Sequence, residues 1–338
     1  MARRGGWKRL GRSGRFRYLD ARGKRITDEA KLERIEELRI PPAWKDVWIS
    51  PRPGAKLQAT GVDSADRRQY LYHPEYRAAQ EQAKFDKLVL FAERLPDLRQ
   101  AMAEHISLDP FELEWTCAVA VRLINIGWFR VGEERYAKKH KTFGITTLRK
   151  GHVSVRGSRI AFCFRGKHRA WVRTALIDAE LADAIRKLQG LTGRGRLFRY
   201  RCNDEFLNLT ARKLNDYIRE YLGEEFSAKD FRTWGGSLIA AIELAEHGVA
   251  ETDTDAKRIV AGVMRKVGER LGNTPAVARS SYVSPSVVEQ YLDGRTIDDF
   301  RPRHLRVVGA RDLGLDLEEQ ALVSLLRSWR MRRARAAA

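Results

Sequence analysis

The chain has 338 residues, 43% of them hydrophobic, so it can bury a substantial core and is not expected to be disordered. Its 64 lysine and arginine residues outnumber 44 aspartate and glutamate residues, and the formal net charge of +20 favours polyanionic partners, nucleic acids above all. No run of about 18 apolar residues is present and the N-terminal sequence lacks the apolar centre of a signal peptide, so neither a membrane span nor export is expected.

Residues 1–78 are predicted to form a small β-rich domain. Short strand-like runs broken by Gly, Pro and Asp predict four strands, at 15–18, 47–49, 57–62 and 69–72. Between the first two strands, Leu32, Ile35 and Leu38 recur at helical spacing and predict a helix over 28–38.

Residues 79–338 are predicted to be mainly helical. Helical periodicity predicts helices at 77–94, 96–106, 111–129, 175–189, 209–222, 228–247, 256–271, 275–280 and 317–330. A hairpin region at about 152–173 predicts a three-stranded meander, with strands at 152–156, 159–164 and 168–173 and a tight turn at Gly157-Ser158. The predicted fold class is therefore α+β, with a β-rich N-terminal domain and a mostly α-helical domain that contains a small three-stranded antiparallel sheet.

The cysteines and histidines suggest no cofactor. Cys117, Cys163 and Cys202 are far apart and form neither a disulfide framework nor a paired zinc motif. Cys117 and Cys163 lie in apolar runs, where buried thiols are expected, and this pattern fits a reducing cytoplasm. The seven histidines show no metal-ligand pairing and no Gly-rich phosphate loop is present, so neither a metal site nor ATP is expected.

The segment Ala-Arg-Ser-Ser-Tyr-Val-Ser-Pro places Tyr282 between a predicted helical turn and a Ser-Pro helix start. A phenol is a poor nucleophile at neutral pH, because its ordinary pKa is about 10. It can nevertheless attack a phosphodiester where nearby cations stabilise the charge that develops. Tyr282 is therefore the candidate nucleophile.

Four other side chains could complete such a site, although each has an ordinary structural alternative. Arg130 follows an apolar helix, and taken alone a surface arginine is the favoured reading; Lys167 lies in a hairpin turn, where a solubilising lysine is common. Arg232 lies near a helix start, where phosphate is attracted, but it could instead pair with Asp230. Asn273 precedes a helix start and could be its N-cap.

The order of these residues resembles the type IB DNA topoisomerases, in particular the compact poxvirus-like and bacterial members, and the resemblance covers nearly the whole chain. Its motifs are Phe129-Arg130-Val-Gly with Tyr136, Gly144-Ile-Thr-Thr-Leu148, His152-Val153, Lys229-Asp-Phe-Arg232-Thr, Leu271-Gly-Asn-Thr and Ser281-Tyr282. The resemblance implies an enzyme that relaxes supercoiled DNA through a 3′-phosphotyrosyl intermediate, strand rotation and religation, without ATP or an obligatory metal.

The resemblance also implies a role for each catalytic candidate. Tyr282 is the nucleophile, Arg130 and Arg232 bind the non-bridging phosphoryl oxygens, and Lys167 protonates the departing 5′ oxygen. Many relatives have histidine where this chain has Asn273. Because an amide donates hydrogen bonds but does not exchange a proton at neutral pH, we expect hydrogen bonding at this position. We further expect Lys167 to be out of place in the absence of DNA, because a hairpin tip has few packing restraints.

By the same resemblance, the protein is expected to act as a monomer that clamps duplex DNA with both domains, hinged near residues 76–80. The expected DNA contacts are Gln69, Tyr70 and Tyr72 in the N-terminal domain and Tyr136, Thr147 and Lys229 in the helical domain. A cytoplasmic, nucleoid-associated location follows, with no membrane partner. The arginine-rich tail at 327–335 could be a phosphate-binding arm or a frayed end.

Two other functions remain open from the sequence. A tyrosine recombinase would use the same chemistry, although such recombinases usually carry a helical N-terminal domain in place of a β-rich one. A non-catalytic DNA-binding protein would retain DNA without forming a covalent adduct.

Overall fold

The computed structural model describes residues 5–193, 195–301 and 314–337 of the chain. Two units divide it, Met1–Lys84 and Phe85–Ala338. The sequence-based boundary lies at residue 78, whereas these units meet inside a helix. The α+β class is confirmed: the first unit contains a β-sheet, and the second is mainly helical with a small antiparallel sheet.

The first unit is a five-stranded antiparallel sheet with one helix. Its strands are β1 (Trp7–Arg12), β2 (Arg15–Leu19), β3 (Lys45–Ile49), β4 (Leu57–Val62) and β5 (Arg68–Tyr72). The sheet order is β2-β1-β3-β4-β5, which leaves β5 at an edge. Helix α1 (Glu29–Glu37) begins after Asp28, whose carboxylate accepts a hydrogen bond from the Lys31 backbone N–H, as a helix N-cap does.

Strand β1 was not predicted, because a buried arginine hides its alternation. Trp7 and Arg9 both face the interior, and Arg9 stands where strand alternation would call for a second hydrophobic residue. The Arg9 guanidinium is tolerated there because it donates to the backbone carbonyls of Pro41 and Trp44, at 3.0 and 2.8 Å.

A single long helix, α2 (Pro74–Ile106), replaces the two helices that were predicted on either side of Pro96. Proline lacks an N–H group and usually ends a helix. Here Leu95 and Leu98 are fully buried on both sides of it, and this packing outweighs the lost backbone hydrogen bond.

The hairpin region forms a three-stranded antiparallel sheet of β6 (Val153–Arg156), β7 (Arg159–Arg165) and β8 (Trp171–Ile177), after the helices α3 (Leu113–Gly127) and α4 (Glu134–His140). The predicted third strand is confirmed, but it lies at Trp171–Ile177 instead of 168–173, and the next helix begins at Ala179 instead of residue 175. A short 3-10 turn occupies Lys167–Arg169, and β8 continues in register with β7 up to Ile177. Asp178 then caps α5 (Ala179–Gly190) by accepting a hydrogen bond from the Leu181 N–H.

Strand alternation also corrects the expectation for one cysteine. On β7, Ile160, Phe162 and Phe164 face the core, so Cys163 between them is exposed. Cys117 in α3 is buried as expected.

The rest of the second unit contains the helices predicted from residue 209 onward. Helix α4, the helix that begins at Pro285, and a hairpin of β9 (Arg199–Cys202) and β10 (Glu205–Asn208) were not predicted. The further helices are α6 (Ala211–Leu222), α7 (Asp230–His247), α8 (Asp253–Leu271), α9 (Pro275–Ser281), α10 (Pro285–Leu292) and α11 (Leu317–Ala337). Helix α7 is buried along most of its length and lies in the centre of the helical core.

The arginine-rich C-terminal segment belongs to α11 and is held against the rest of the unit. Arg327 pairs with Glu93 at 2.5 Å, and Arg332 pairs with Asp293 at 3.1 Å. Further in, Glu319 is buried and accepts two hydrogen bonds from Arg99, at 2.7 and 2.8 Å. These contacts favour a docked helix over either a frayed end or a free arm.

None of the helices in the described parts of the chain is both long and apolar enough to cross a membrane.

Phe91 of α2 connects that helix to the centre of the core. It is fully buried, and its ring centre lies 5.1 Å from that of Phe231 and 5.7 Å from that of Phe226. We expect Phe91→Ala to lower the free energy of unfolding by about 3–5 kcal/mol, because it removes a large side chain and leaves a cavity. Denaturant unfolding measures the loss. Leu108→Ala, at an exposed position, should change stability little, and equal losses in the two variants would contradict this account of the core.

Candidate active site

The site is organised around Arg232, in the first turn of α7. Its side chain is only 4% exposed. The guanidinium donates from Nη1 to the Trp128 carbonyl at 2.5 Å and from Nη2 to the Leu271 carbonyl at 2.6 Å. It does not pair with Asp230, whose carboxylate instead accepts from the backbone N–H and the hydroxyl of Ser227. The structural alternative for Arg232 is therefore wrong.

Arg130 reaches the same place from the end of α3. Trp128 ends that helix in the left-handed conformation, with a φ of 49°, and turns the chain so that Arg130 comes two residues later. Arg130 Nη2 donates to Asn273 Oδ1 at 2.7 Å and to the Gly272 carbonyl at 3.2 Å. Burial, together with the nearby charge of Arg232, lowers the pKa of Arg130 to about 10.

Asn273 is supplied by the end of α8. Gly272 terminates the helix with a φ of +60°, a conformation that glycine adopts without strain. The next helix, α9, is capped by Thr274, whose hydroxyl accepts from the Val277 N–H, so Asn273 is not its N-cap. The Asn273 side chain is instead committed to Arg130 through its oxygen and to the Leu271 carbonyl through its nitrogen, the latter at 3.3 Å.

Tyr282 follows α9 directly and is half-buried. The centre of its ring lies 4.9 Å from the guanidinium carbon of Arg232. Burial alone would raise the pKa of Tyr282, but the positive charges of Arg232, Arg130 and Lys229 outweigh it, so the pKa lies below its ordinary value. The site therefore stabilises the phenolate, the form that attacks.

Four of the five predicted catalytic residues thus come together, and Lys167 remains apart. It lies in the 3-10 turn between β7 and β8 and is exposed. Within the described ranges its side chain forms no hydrogen bond and no ion pair, and its charge is not among those that shift the pKa of Tyr282. The two residues after it, His168 and Arg169, both have φ near +60°, so this tip has an uncommon backbone conformation.

Among the described residues, no carboxylate pairs with Arg232, Arg130 or Lys229, the three cations whose charges act on Tyr282, and none pairs with the more distant Lys167. Arg130 and Arg232 also line a cleft of about 410 Å³, together with Trp128, Trp171 and Gly272. Uncompensated positive charge beside an open cleft is suited to an anionic ligand.

The carbonyls of Trp128 and Leu271 orient Arg232, and sequence reasoning did not find them. No side-chain signal could have done so, because the acceptors are backbone atoms whose position depends on how three helices pack.

The predicted DNA contacts in the first unit lie on β5, with Tyr70 and Tyr72 on one face and Gln69 on the other. The two tyrosines are 50% and 43% exposed and stack with ring centres 6.2 Å apart. The Gln69 amide donates to the Asp63 carboxylate at 2.7 Å and shares its face with Leu71, which packs on the core.

The predicted DNA contacts in the second unit differ in how accessible their side chains are. Lys229 is exposed, and Tyr136 is half-buried with the Arg135 guanidinium carbon 4.7 Å from its ring centre. Thr147 is only 2% exposed, and its hydroxyl exchanges hydrogen bonds with the N–H and carbonyl of Gly144. A phosphate contact by this hydroxyl would require those bonds to break.

A half-buried tyrosine beside two arginines that pair with no carboxylate of the described residues is suited to binding an anionic ester next to a phenol. Comparison with known proteins gives its family. Residues 73–298 match the family described as eukaryotic DNA topoisomerase I, catalytic core, and residues 15–63 match the bacterial DNA topoisomerase IB N-terminal domain.

Relatives cover most of the chain. It is 34% identical over 284 residues to DNA topoisomerase 1B of Acanthamoeba polyphaga mimivirus, which is 82% of this chain and 84% of that protein. It is 22% identical over 281 residues to DNA topoisomerase 1B of Vaccinia virus (strain Copenhagen), covering 80% and 85%. The chain belongs to the type IB DNA topoisomerase family. This membership favours a topoisomerase over a recombinase or a non-catalytic protein.

The charges around Tyr282 can be tested in the free protein. We expect Arg130→Gln to raise the pKa of Tyr282, because one of the cations that favour the phenolate is removed. The measurement is ¹³C NMR of tyrosine labelled at Cζ, titrated through alkaline pH, with Tyr282→Phe to assign the signal. Arg258→Gln, which removes an exposed arginine paired with Asp255, is the control. A Tyr282 midpoint that does not move in Arg130→Gln would contradict the assigned cause.

Proposed function

We propose that this protein relaxes supercoiled duplex DNA by cutting one strand transiently, allowing the duplex to rotate, and rejoining the strand. The Tyr282 oxygen attacks a backbone phosphorus and forms a 3′-phosphotyrosyl ester while the bond to the 5′ oxygen breaks. Religation reverses the reaction, with the 5′ hydroxyl as nucleophile. Each step exchanges one phosphodiester for another, so neither ATP nor an obligatory metal is needed, and torsional strain in the DNA drives the rotation.

One observation carries the proposal: Tyr282 lies against two arginines that no carboxylate neutralises within the described residues. As the phosphorus becomes pentacoordinate, negative charge grows on the non-bridging oxygens, and two guanidiniums can bind them. The same cations lower the pKa of the phenol that must lose its proton to solvent. Arg130 and Arg232 are therefore proposed to serve both the nucleophile and the transition state.

Lys167 is proposed as the general acid that gives a proton to the departing 5′ oxygen. A lysine on an exposed turn can reach the backbone of bound DNA. It can protonate the leaving oxygen only after the DNA is bound in the site. Its separation from Tyr282 fits a site that is completed when DNA binds.

Asn273 is proposed to act by hydrogen bonding. Its oxygen accepts from Arg130, which holds that guanidinium in the site, and its amide N–H could donate to a phosphoryl oxygen after leaving the Leu271 carbonyl.

The two units are proposed to clamp the duplex as a monomer. Residues 76–80, where the hinge was expected, lie in the first turns of α2 and not in a linker. The exposed Tyr70 and Tyr72 would contact DNA from the first unit, and Gln69 would do so only after releasing Asp63. Tyr136, Thr147 and Lys229 are proposed phosphate contacts, and lysine and arginine contacts to phosphate would make binding salt-sensitive. We propose a cytoplasmic, nucleoid-associated location without a membrane partner.

The deciding experiment traps the protein on DNA. Wild-type protein and Tyr282→Phe are incubated with supercoiled plasmid, quenched with denaturant and assayed for protein joined covalently to nicked DNA. We expect an adduct and relaxed plasmid with the wild type and neither with Tyr282→Phe, because phenylalanine has no nucleophilic oxygen. Adduct formation by Tyr282→Phe would refute the nucleophile assignment, and its absence from the wild type would favour a non-catalytic DNA-binding protein.

Asn273 provides a second test of the proposed chemistry. We expect Asn273→Ala to slow single-turnover adduct formation by about 100-fold, the scale for one oxyanion donor, while Asn273→His keeps most of the rate. The histidine can still donate a hydrogen bond, whereas alanine offers no polar group to the phosphate or to Arg130. Equal rates for Asn273→Ala and the wild type would remove this residue from the site.

A further inference from the structure

We propose that three consecutive residues of α7, Gly235, Gly236 and Ser237, form a seat that positions Tyr282 and Arg232 for strand cleavage. The inference rests on the proposed function, which assigns the chemistry to Tyr282 and Arg232 but leaves open what sets their separation. Residues of the seat are positioning residues, because they touch the segments that carry the reacting groups and not the DNA itself.

Gly236 lets the Tyr282 backbone lie directly against α7. A Cβ atom added at Gly236 would come within 2.7 Å of the Tyr282 carbonyl oxygen and 2.9 Å of its Cβ. Both are closer than atoms of this kind pack, and neither can rotate away, since they belong to or adjoin the main chain. Only glycine allows the segment with Tyr282 to come this close to the helix that carries Arg232.

Gly235 does the same for the segment that orients Arg232. An added Cβ would lie 2.3 Å from Nε1 and 2.5 Å from Cδ1 of the Trp128 indole, closer than nonbonded atoms pack. The carbonyl of Trp128 accepts the Arg232 Nη1 hydrogen bond, and Arg130 follows two residues later. Moving Trp128 would therefore disturb the partner of Arg232 and the approach of Arg130 together.

Ser237 fastens the segment in the seat. Its hydroxyl donates to the Tyr282 carbonyl at 3.3 Å and accepts from the Ser284 N–H at 2.9 Å. Ser237 and Ser284 are both buried, so water could not replace these hydrogen bonds if they were broken. The hydroxyl thus fixes the chain on both sides of Val283, immediately after the nucleophile.

The seat predicts which glycine substitutions matter. Gly236→Ala should push the Tyr282 backbone away from α7 and so move the phenol from Arg232. We expect single-turnover adduct formation to fall by about 10- to 100-fold, the effect of misplacing a reacting group by a fraction of an ångström to an ångström. Affinity for duplex DNA should be unchanged, and the pKa of Tyr282 in the free protein should rise.

The matched control is Gly262→Ala in α8, where an added Cβ meets no atom within 4 Å. It should keep the rate and the Tyr282 pKa, and alanine should favour the helix there. Ser237→Ala is the second test variant, since it removes the fastening without adding bulk. We expect the same two changes in it, smaller than in Gly236→Ala.

The readouts separate the outcomes. Adduct formation and the ¹³Cζ titration of Tyr282 are measured for wild type and all three variants, with thermal unfolding as a check on folding. Wild-type values of both in Gly236→Ala and Ser237→Ala would overturn the seat, as would an equal loss in Gly262→Ala. If Gly236→Ala does not fold, Ser237→Ala decides by the same readouts. If wild-type protein forms no adduct, the proposed function fails, and the titration alone then decides whether the seat positions Tyr282.

Discussion

A buried guanidinium without a carboxylate is the constraint on which the site depends. Removing a charge from water is unfavourable unless other groups compensate, and an ion pair would be the common solution. Arg232 is instead held by two backbone carbonyls, those of Trp128 and Leu271. The two carbonyl dipoles orient the cation and accept hydrogen bonds from Nη1 and Nη2, but they leave its net charge available to a ligand. A carboxylate in their place would have cancelled the property that makes the site useful.

This solution explains why distant parts of the chain converge. One carbonyl belongs to the end of α3 and the other to the end of α8, so both helices must terminate at Arg232. The same two ends deliver Arg130 and Asn273, which bond to each other at 2.7 Å. Arg130 is thereby held close enough to Arg232 for the two cations to repel each other. A negative group between them would relieve this repulsion. In the protein alone, the Tyr282 phenol is the group that responds, through its lowered pKa.

The sequence predicts the polar side chains of the site better than it predicts the backbone groups that hold them in place. The order of the polar residues predicts Arg130, Arg232, Asn273 and Tyr282 as one site, because side chains leave a pattern in the sequence, and the structure brings these four together. Carbonyl acceptors have no residue type, so the role of Leu271 could not be foreseen. In the fold, helical periodicity and caps locate most helices, whereas a charged residue such as Arg9 on a core face conceals a strand. Pro96 misleads in the opposite way, since tertiary packing overrides a local helix breaker.

The contacts of Glu319 with Arg99 and Trp234 extend this dependence to the C-terminal helix. Its carboxylate accepts from Arg99 of α2 and, at 3.1 Å, from the Trp234 indole of α7, two residues beyond Arg232. A chain cut before α11 would remove the carboxylate to which both groups donate, together with the apolar side chains of α11 that pack on the core. Such a cut should therefore destabilise α7, which carries Arg232, so the C-terminal helix cannot be treated as a removable tail.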